Sequence, residues 1–323
     1  MKNILLLTGG GGSEHEIAIT SSQFIESQID SSRFNVYKVE INKQQEWTYQ
    51  DKPCSLTFDA QLKTSNDMIQ IAAAIPCFHG YPGETGDIQS FFELIKLPYV
   101  GCNAETSVLC FNKLVTKMFL ETSGVKTTPF LAINSVAEMI KANIFFNEHK
   151  SVFVKATNQG SSVGCYKVNS LTELKSAIEN AFDLSPFVIL EKEIIGRELE
   201  VAAYFYNDKF HLSSPGEIIC EDEFYTYEEK YSQQSKTITQ VKAKNIDDSS
   251  LKEIERQANI AIDLLKIRHL ARIDFFLTSQ GDIFINEINT FPGHTQISMF
   301  PQMMEQSGVK YSSFINNLLD SLS

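Results

Sequence analysis

The sequence predicts an α/β chain whose first third is built on a parallel sheet and whose remainder is richer in strands. Three observations carry this. An apolar run at residues 4–8 leads through glycines 9–12 into a helical pattern at 14–29, strand-like runs recur at 34–41 and 69–78, and two further strands at 271–277 and 282–287 are joined by a Ser-Gln-Gly-Asp turn. Strands alternating with helices favour a parallel sheet whose functional loops lie at the carboxyl ends of the strands.

The elements follow in chain order. The run at 69–78 closes on His79-Gly80, and this first unit is expected to end near Gly101-Cys102. A helix carrying Lys113 and Lys117 follows and stops at Gly124, a suitable C-cap. Strands are expected at 152–155, 164–168 and 187–191, with a helix at 171–181 announced by Thr172-Glu173. From Arg197 the chain alternates through Leu199, Val201, Ala203 and Phe205, then enters a polar loop from about 220 to 239 that carries Tyr225, Tyr227 and Tyr231. Aromatic residues in so long a loop suggest a lid. Asp247, Asp248 and Ser249 are good N-cap residues for a helix at 251–266, and a last helix is expected at 311–322.

Composition excludes several classes. A net charge of −12 and a pI near 5.0 repel a phosphate backbone, so nucleic acid is not an expected partner. No apolar stretch approaches the ~20 residues that a membrane helix needs. The run at 4–7 is too short for a signal-peptide core. The cysteines at 54, 77, 102, 110, 165 and 220 form no CxxC pair, which fits reduced thiols in a cytoplasmic protein.

Several familiar motifs fail on inspection. GxGxxG needs glycine at 14, where Glu14 stands, and there is no GxxxxGK[ST] loop. HExxH fails because Ile19 replaces the second histidine, which leaves His15-Glu16 as an ordinary solvated helix start. Glycines 9–12 are equally a flexible turn or an anion-binding loop. Glu14 and Glu16 suit the positive end of a helix.

The hairpin is more informative. Glu287 and Asn289, two residues apart, share a sheet face, and Asp274 and Arg272 on the neighbouring strand can join them. Two carboxylates and an amide oxygen form a hard-ligand set suited to Mg²⁺; a solvated polar hairpin is the other reading. Lys155 leads into Asn158-Gln159-Gly160-Ser161-Ser162-Val163-Gly164, a loop able to offer charge and backbone donors to phosphate, or a plain surface hairpin. Lys113 is a second candidate cation. Glu191 and Glu198 flank a charged turn, and the glycine-punctuated loop 79–86 stands where α/β sheets often place sites.

Taken in order, these segments resemble the D-alanine–D-alanine ligase family of ATP-grasp enzymes. The matching pieces are Gly-Gly-Ser-Glu-His-Glu-Ile at 11–17, His-Gly with Gly-Glu-Thr-Gly at 79–86, Asn-Lys-Leu with Lys at 112–117, and Val-Lys with Gly-Ser-Ser-Val-Gly at 154–164. They continue with Glu-Lys and Gly-Arg-Glu-Leu-Glu-Val at 191–201, Tyr-Glu-Glu-Lys-Tyr at 227–231, Arg-Ile-Asp at 272–274 and Asn-Glu-Ile-Asn-Thr-Phe-Pro-Gly-His-Thr at 286–295.

The resemblance implies an ATP-grasp fold of three domains: a Rossmann-like N-terminal one at 1–101, a central one at 102–191 and a C-terminal one at 192–323. It assigns Lys113, Lys155 and Lys230 to the ATP phosphates, Glu191 and Lys192 to the adenine edge, Glu198 to the ribose and Phe224 to the ring face, with Ile194, Asn286 and Glu287 also binding ATP. Asp274, Glu287 and Asn289 would hold Mg²⁺ or Mn²⁺, two ions in all. Glu14 would bind the ammonium of the first D-alanine with Ile17 and His79 nearby, Arg272 and the Gly293 amide the oxyanion, and Ser298 and Met299 the second D-alanine. Glu14, Ser161 and Tyr231 would tie the mobile loop over the substrates. A homodimer is what such enzymes suggest.

Thr85, Phe111-Asn112, Thr226 and Ala18 depart from the commonest family residues, in ways that bear on loop closure and affinity rather than on reaction type. Two rivals remain at this stage: a sister ligase that takes D-lactate or D-serine second, and a nucleotide-binding relative without catalysis.

Overall fold

The computed structural model describes residues 1–219 and 237–322. Strand β1 (Lys2–Gly9), helix α1 (His15–Gln28) and strand β2 (Phe34–Ile41) open the chain. After the short strands β3 (Trp47–Tyr49) and β4 (Lys52–Pro53), a separate three-stranded sheet forms from β5 (Ser55–Leu56), β6 (Gln61–Lys63) and β7 (Met68–Gln70). Strand β8 (Ala73–Pro76) then pairs in parallel with β1, which pairs in parallel with β2, giving the order β4-β3-β2-β1-β8. The apolar run at 69–78, expected as one strand, is therefore two segments in different sheets. Apolar character alone does not mark where a chain turns from one sheet to the next.

Period-2 geometry in β1 sends Ile4 and Leu6 to one face and Leu5 and Leu7 to the other, and each pair enters a different core. Leu5 and Leu7 pack with Phe92 of α2 (Asp87–Leu94) and with Tyr99. Ile4 and Leu6 share a core with Phe314 and Leu318 of the last helix. With both faces covered, a fully buried Ile or Leu contributes about 1.5–3 kcal/mol relative to exposure.

Helices α3 (Ala104–Phe111) and α4 (Lys113–Thr122) meet at Asn112, which ends the first and caps the second by accepting from the Val115 N–H at 3.2 Å. Strands β9 (Phe130–Ile133), β10 (Val152–Ala156), β11 (Cys165–Val168) and β12 (Val188–Lys192) form an antiparallel sheet in the order β11-β10-β12-β9. Helices α5 (Met139–His149) and α6 (Leu171–Phe182) bury its Val152, Val154, Val188 and Leu190 face. The start of α6 is set by Ser170, one position before the helix, in a reciprocal capping box with Glu173 rather than by Thr172. Alternation leaves Lys155 and Glu191 on the opposite face of that sheet, toward the cleft.

The third sheet comprises β13 (Gly196–Tyr206), β14 (Lys209–Leu212), β15 (Gly216–Ile219), β16 (Ile238–Gln240), β17 (Leu270–Thr278) and β18 (Ile283–Asn289). It runs β16-β15-β13-β17-β18, with β14 on β13. Residues 238–240, expected in a loop, thus pair with β15. Leu199, Val201 and Ala203 face α7 (Asp248–Leu265), capped by Asp247, while Ala202 and Tyr204 face α8 (Met299–Gln306) and α9 (Tyr311–Ser321). The alternation read from Arg197 onward belongs to a strand buried on both faces, not to one with a wet side. Helix α8 has no strong sequence signal because Pro301 sits in it, tolerated there because it lies in the first turn.

Candidate active site

The carboxyl end of β1, the loop after β8, the end of β18 and the loop between β10 and β11 converge on a cavity of about 900 Å³. It opens into a slot of about 160 Å³ between the central and C-terminal sheets. The two spaces share Lys113, Gln159, Ser161, Arg272 and Glu287, among others, as walls.

Glu14 stands at the N-cap position of α1 and is buried, 8% exposed. Its Oε2 lies near the backbones of Gly80 and Gly160, so the first and second units meet across it. The turn before it depends on Gly9, whose φ is +90°; a Cβ there would stand 2.4 Å from the Ile41 carbonyl oxygen. His15, expected to be solvated, is buried, and its Nδ1 donates to the Gly10 carbonyl at 2.6 Å. The reason is geometric: the helix starts over the carboxyl ends of β1 and β2, so the His15 side of its first turn faces Gly9, Gly10 and Glu40. Glu16 is exposed and pairs with Lys43 at 3.1 Å.

His79 is buried beside Glu14. A carbonyl only accepts, so its Nδ1–H donates to Phe291 O at 3.2 Å, and its Nε2 accepts from the Ser21 hydroxyl at 3.0 Å. Burial lowers its pKa, against the pull of Glu14, and the ring is neutral. Glu84 takes the Gly80 N–H at 2.8 Å. It keeps some surface open to the cavity, yet burial pushes its pKa up to about 8, opposed by that hydrogen bond and reinforced by Glu14 and Glu287.

In the third sheet Arg272 grips Asp274 through two bonds of 2.7 Å, with Glu200 at 3.3 Å and Asn289 Nδ2 donating to Asp274 at 3.0 Å. The strand register makes this inevitable: Glu200 opposes Asp274, Asp274 opposes Glu287, and Arg272 opposes Asn289. Burial works against the Arg272 charge, but Asp274, Glu200 and Glu287 outweigh it and hold its pKa well above the ordinary value. Asp274, Glu287 and Asn289 are hard oxygen donors at the end of one hairpin, chemically suited to Mg²⁺. Among the described residues no three His, Cys, Asp or Glu side chains are grouped for a metal, so a cation here would need further oxygen ligands, such as phosphate.

The loop after β18 places Gly293 against Ser298: a Cβ on Gly293 would stand 2.9 Å from the Ser298 hydroxyl, which itself bonds Thr295 Oγ1 at 2.7 Å. His294 is buried next to it and bonded to the Tyr311 hydroxyl at 2.9 Å; burial brings its pKa down to about 3.

The slot holds the cations. Glu191, only 2% exposed, lies between Lys155 at 2.6 Å and Lys117 at 2.9 Å. Burial would raise the Glu191 pKa, but the two lysines bring it down to about 2. Lys113 Nζ donates to the Gln159 carbonyl at 2.5 Å and lies 3.9 Å from Glu287. Lys192, Ile194, Glu198 and Asn286 line the same slot.

Glu14, Ile17, His79, Ser161, Arg272, Gly293, Ser298 and Met299 all line the larger cavity. Phe224, Lys230 and Tyr231, with Cys220, Tyr225, Thr226 and Tyr227, lie outside the described residues. The sequence reading gave no role to Lys117, Glu200 or Ser21. Lys117 follows Lys113 by one helical turn and Glu200 follows Glu198 by one strand period, signals that acquire meaning only once a partner element is known.

Three sheets around one cleft, with lysines on one wall and an arginine–carboxylate hairpin on the other, define an ATP-grasp enzyme, an ATP-dependent ligase. Two family models, described as "D-ala D-ala ligase N-terminus" and "D-ala D-ala ligase C-terminus", match residues 3–102 and 119–320. A D-alanine--D-alanine ligase from Shewanella pealeana is 46% identical over 330 residues, covering 99% of this chain and 98% of the relative. Among solved structures, D-alanyl-alanine synthetase A from Vibrio cholerae is similar at a TM-score of 0.95 and 42% identity, over 99% of this chain and 98% of that one. The VanG D-Ala:D-Ser ligase from Enterococcus faecalis is similar at 0.89 and 27%, over 100% and 99%. The chain belongs to the D-alanine–D-alanine ligase family.

Proposed function

We propose that this chain joins two D-alanine molecules, at the expense of ATP, into D-alanyl-D-alanine for peptidoglycan precursor synthesis. The observation that carries the reading is the junction of the two spaces at Lys113, Arg272 and Glu287: an amino-acid carboxylate in the cavity and a triphosphate end in the slot would meet there.

A carboxylate does not react with an amine until it has a leaving group. One carboxylate oxygen of the first D-alanine bonds to the γ-phosphorus, the bond to the β-phosphate oxygen breaks, and ADP departs, leaving D-alanyl phosphate. The neutral amine of the second D-alanine then attacks the acyl carbon, phosphate leaves with the electron pair of the broken C–O bond, and the proton shed by the nitrogen passes to the departing phosphate. Lys113 and Lys155 bind phosphate oxygens, while Glu14, with His79 and Ile17 beside it, orients the first substrate by its ammonium. Arg272 and the Gly293 N–H stabilise the oxyanion, and Ser298 and Met299 border the second substrate. Glu198 and Ile194 face the nucleoside. Ser161 and Tyr231 help to close the site against water. Asp274, Glu287 and Asn289 would hold Mg²⁺ or Mn²⁺, two ions in all, whose charge would offset that of the phosphates.

The same reading makes the protein a cytoplasmic homodimer divided near residues 101 and 191. The three larger sheets, one in each unit, support that division, while the core shared by Ile4 and Leu319 joins the first and last units.

The test is ADP release with Mg²⁺ and D-alanine, alongside D-serine, D-lactate and L-alanine. D-Alanine-dependent ADP and one dipeptide per ADP are expected. ADP release with no amino-acid dependence would sink the reading, and preferential use of D-serine or D-lactate as second substrate would move it to a sister ligase.

A further inference from the structure

Lys117 lines neither the cavity nor the slot and is only 2% exposed; burial lowers its pKa, and the neighbouring Glu191 carboxylate opposes that and favours its charged form. A buried lysine is costly unless it is paired and hydrogen-bonded. Its ammonium satisfies both demands: it meets Glu191 Oε1 at 2.9 Å, the Thr128 hydroxyl at 2.5 Å and the Thr128 carbonyl at 3.3 Å, and lies 5.5 Å from the centre of the Phe130 ring. Thr128 and Phe130 lead into and begin β9, and Glu191 lies on β12, so Lys117 pins α4 to the back of the nucleotide wall.

Charge arithmetic gives this contact a purpose. Glu191 Oε2 holds Lys155 at 2.6 Å, so Lys155 and Glu191 by themselves are a neutral pair. A neutral pair projects little field toward a polyphosphate. Lys117 shares the same carboxylate through its other oxygen and restores a net charge of one positive unit to the cluster. That surplus can be expressed only on the open side, where Lys155 borders the slot.

We propose that Lys117 is a positioning residue for the triphosphate: it shares Glu191 with Lys155, and thereby holds Lys155 in place and leaves it with uncancelled charge toward the nucleotide phosphates. The inference rests on the ATP-binding reading given above and adds a residue that never touches the ligand.

The experiment measures binding of ATP and of adenosine to the full chain, with ADP release followed in parallel. In Lys117→Met, ATP binding and the KM for ATP should weaken roughly tenfold, the size expected of one partly shielded charge, while adenosine binding and the KM for D-alanine stay within about twofold. Lys117→Arg should retain most of the ATP affinity. In the double variant K117M/E191Q the net charge returns to one positive unit, so ATP should bind several-fold more tightly than to K117M. Should K117M fail to fold, K117Q removes the charge and keeps a hydrogen-bonding group, and the same comparison is read there. Equal weakening of ATP and adenosine, or a double variant weaker than the single one, would show a merely structural lysine and overturn the proposal. Wild-type protein that binds no ATP would instead overturn the function proposed above, which separates the two failures.

Discussion

The two walls of the cleft handle buried charge in opposite ways. On the nucleotide side, Lys117, Glu191 and Lys155 are locked together: the two lysines bring the Glu191 pKa down to about 2, while burial, opposed by Glu191, lowers that of Lys117. On the amino-acid side, burial works against charge instead: it lowers the pKa of His79, brings that of His294 down to about 3 and pushes that of Glu84 up to about 8. Arg272, clamped by Asp274 and Glu200, is held charged there. The difference follows from the partners. A phosphate chain is always anionic and wants a constant field, whereas amino acids bring charges of both signs and must exchange protons during the reaction.

The contrast can be broken most severely at Arg272. Arg272→Met leaves Asp274 and Glu200 buried without their cation, which should cost about 3–5 kcal/mol of stability. kcat should fall by about 10²–10³-fold through loss of oxyanion stabilisation. Denaturant unfolding and steady-state kinetics read the two effects separately. Lys155→Met comes next and should raise the KM for ATP about 10- to 100-fold, as for a lost charged hydrogen bond, with D-alanine saturation little changed. An equal loss for both substrates would mean that the walls are not independent.

The amino-acid wall should also carry the pH dependence of stability. Glu84 has a folded pKa near 8 against an ordinary 4.5. Between those values only the folded state holds the proton, so its contribution is full below about 4.5 and is lost as pH rises to about 8. Glu84→Gln should flatten that decline in a series of melting temperatures. His294 works the other way: its pKa falls from 6.5 to about 3, so stability is present above 6.5 and is lost as pH falls toward 3. Replacing His294 and Tyr311 together by Phe should remove that acid-side slope. The smallest effect belongs to Lys126→Ala, which breaks an exposed pair with Asp282 far from either wall and should change stability by less than about 1 kcal/mol.

Much of this was legible in the linear chain. The parallel opening unit follows from the alternation of apolar runs and glycine turns, and β2, β17 and β18 fall close to where period-2 patterning puts them. Asp274, Glu287 and Asn289 could be grouped because a hairpin has one register and a strand one period. Less could be said wherever a signal needs a distant partner. The run at 69–78 hid a change of sheet, His15 was read as solvated although the carboxyl ends of β1 and β2 cover it, and α8 was hidden behind Pro301. Lys117 looked like any helix lysine.

The sequence by itself determined the family, the alternation of strands and helices in the opening unit, and which residue types lie at the ends of β1, β10 and β18. These depend on local periodicity, turn chemistry and ordered motifs, all of which are encoded within a few residues. Only the tertiary structure decided which charges are buried and with whom they are paired. Lys155, Glu191 and Lys117 come from a strand, a second strand and a helix, and Arg272 meets Glu200 across β13 and β17. Burial and charge pairing are properties of the assembled cleft, because the energy of an ionised side chain depends on the atoms around it rather than on its neighbours along the chain.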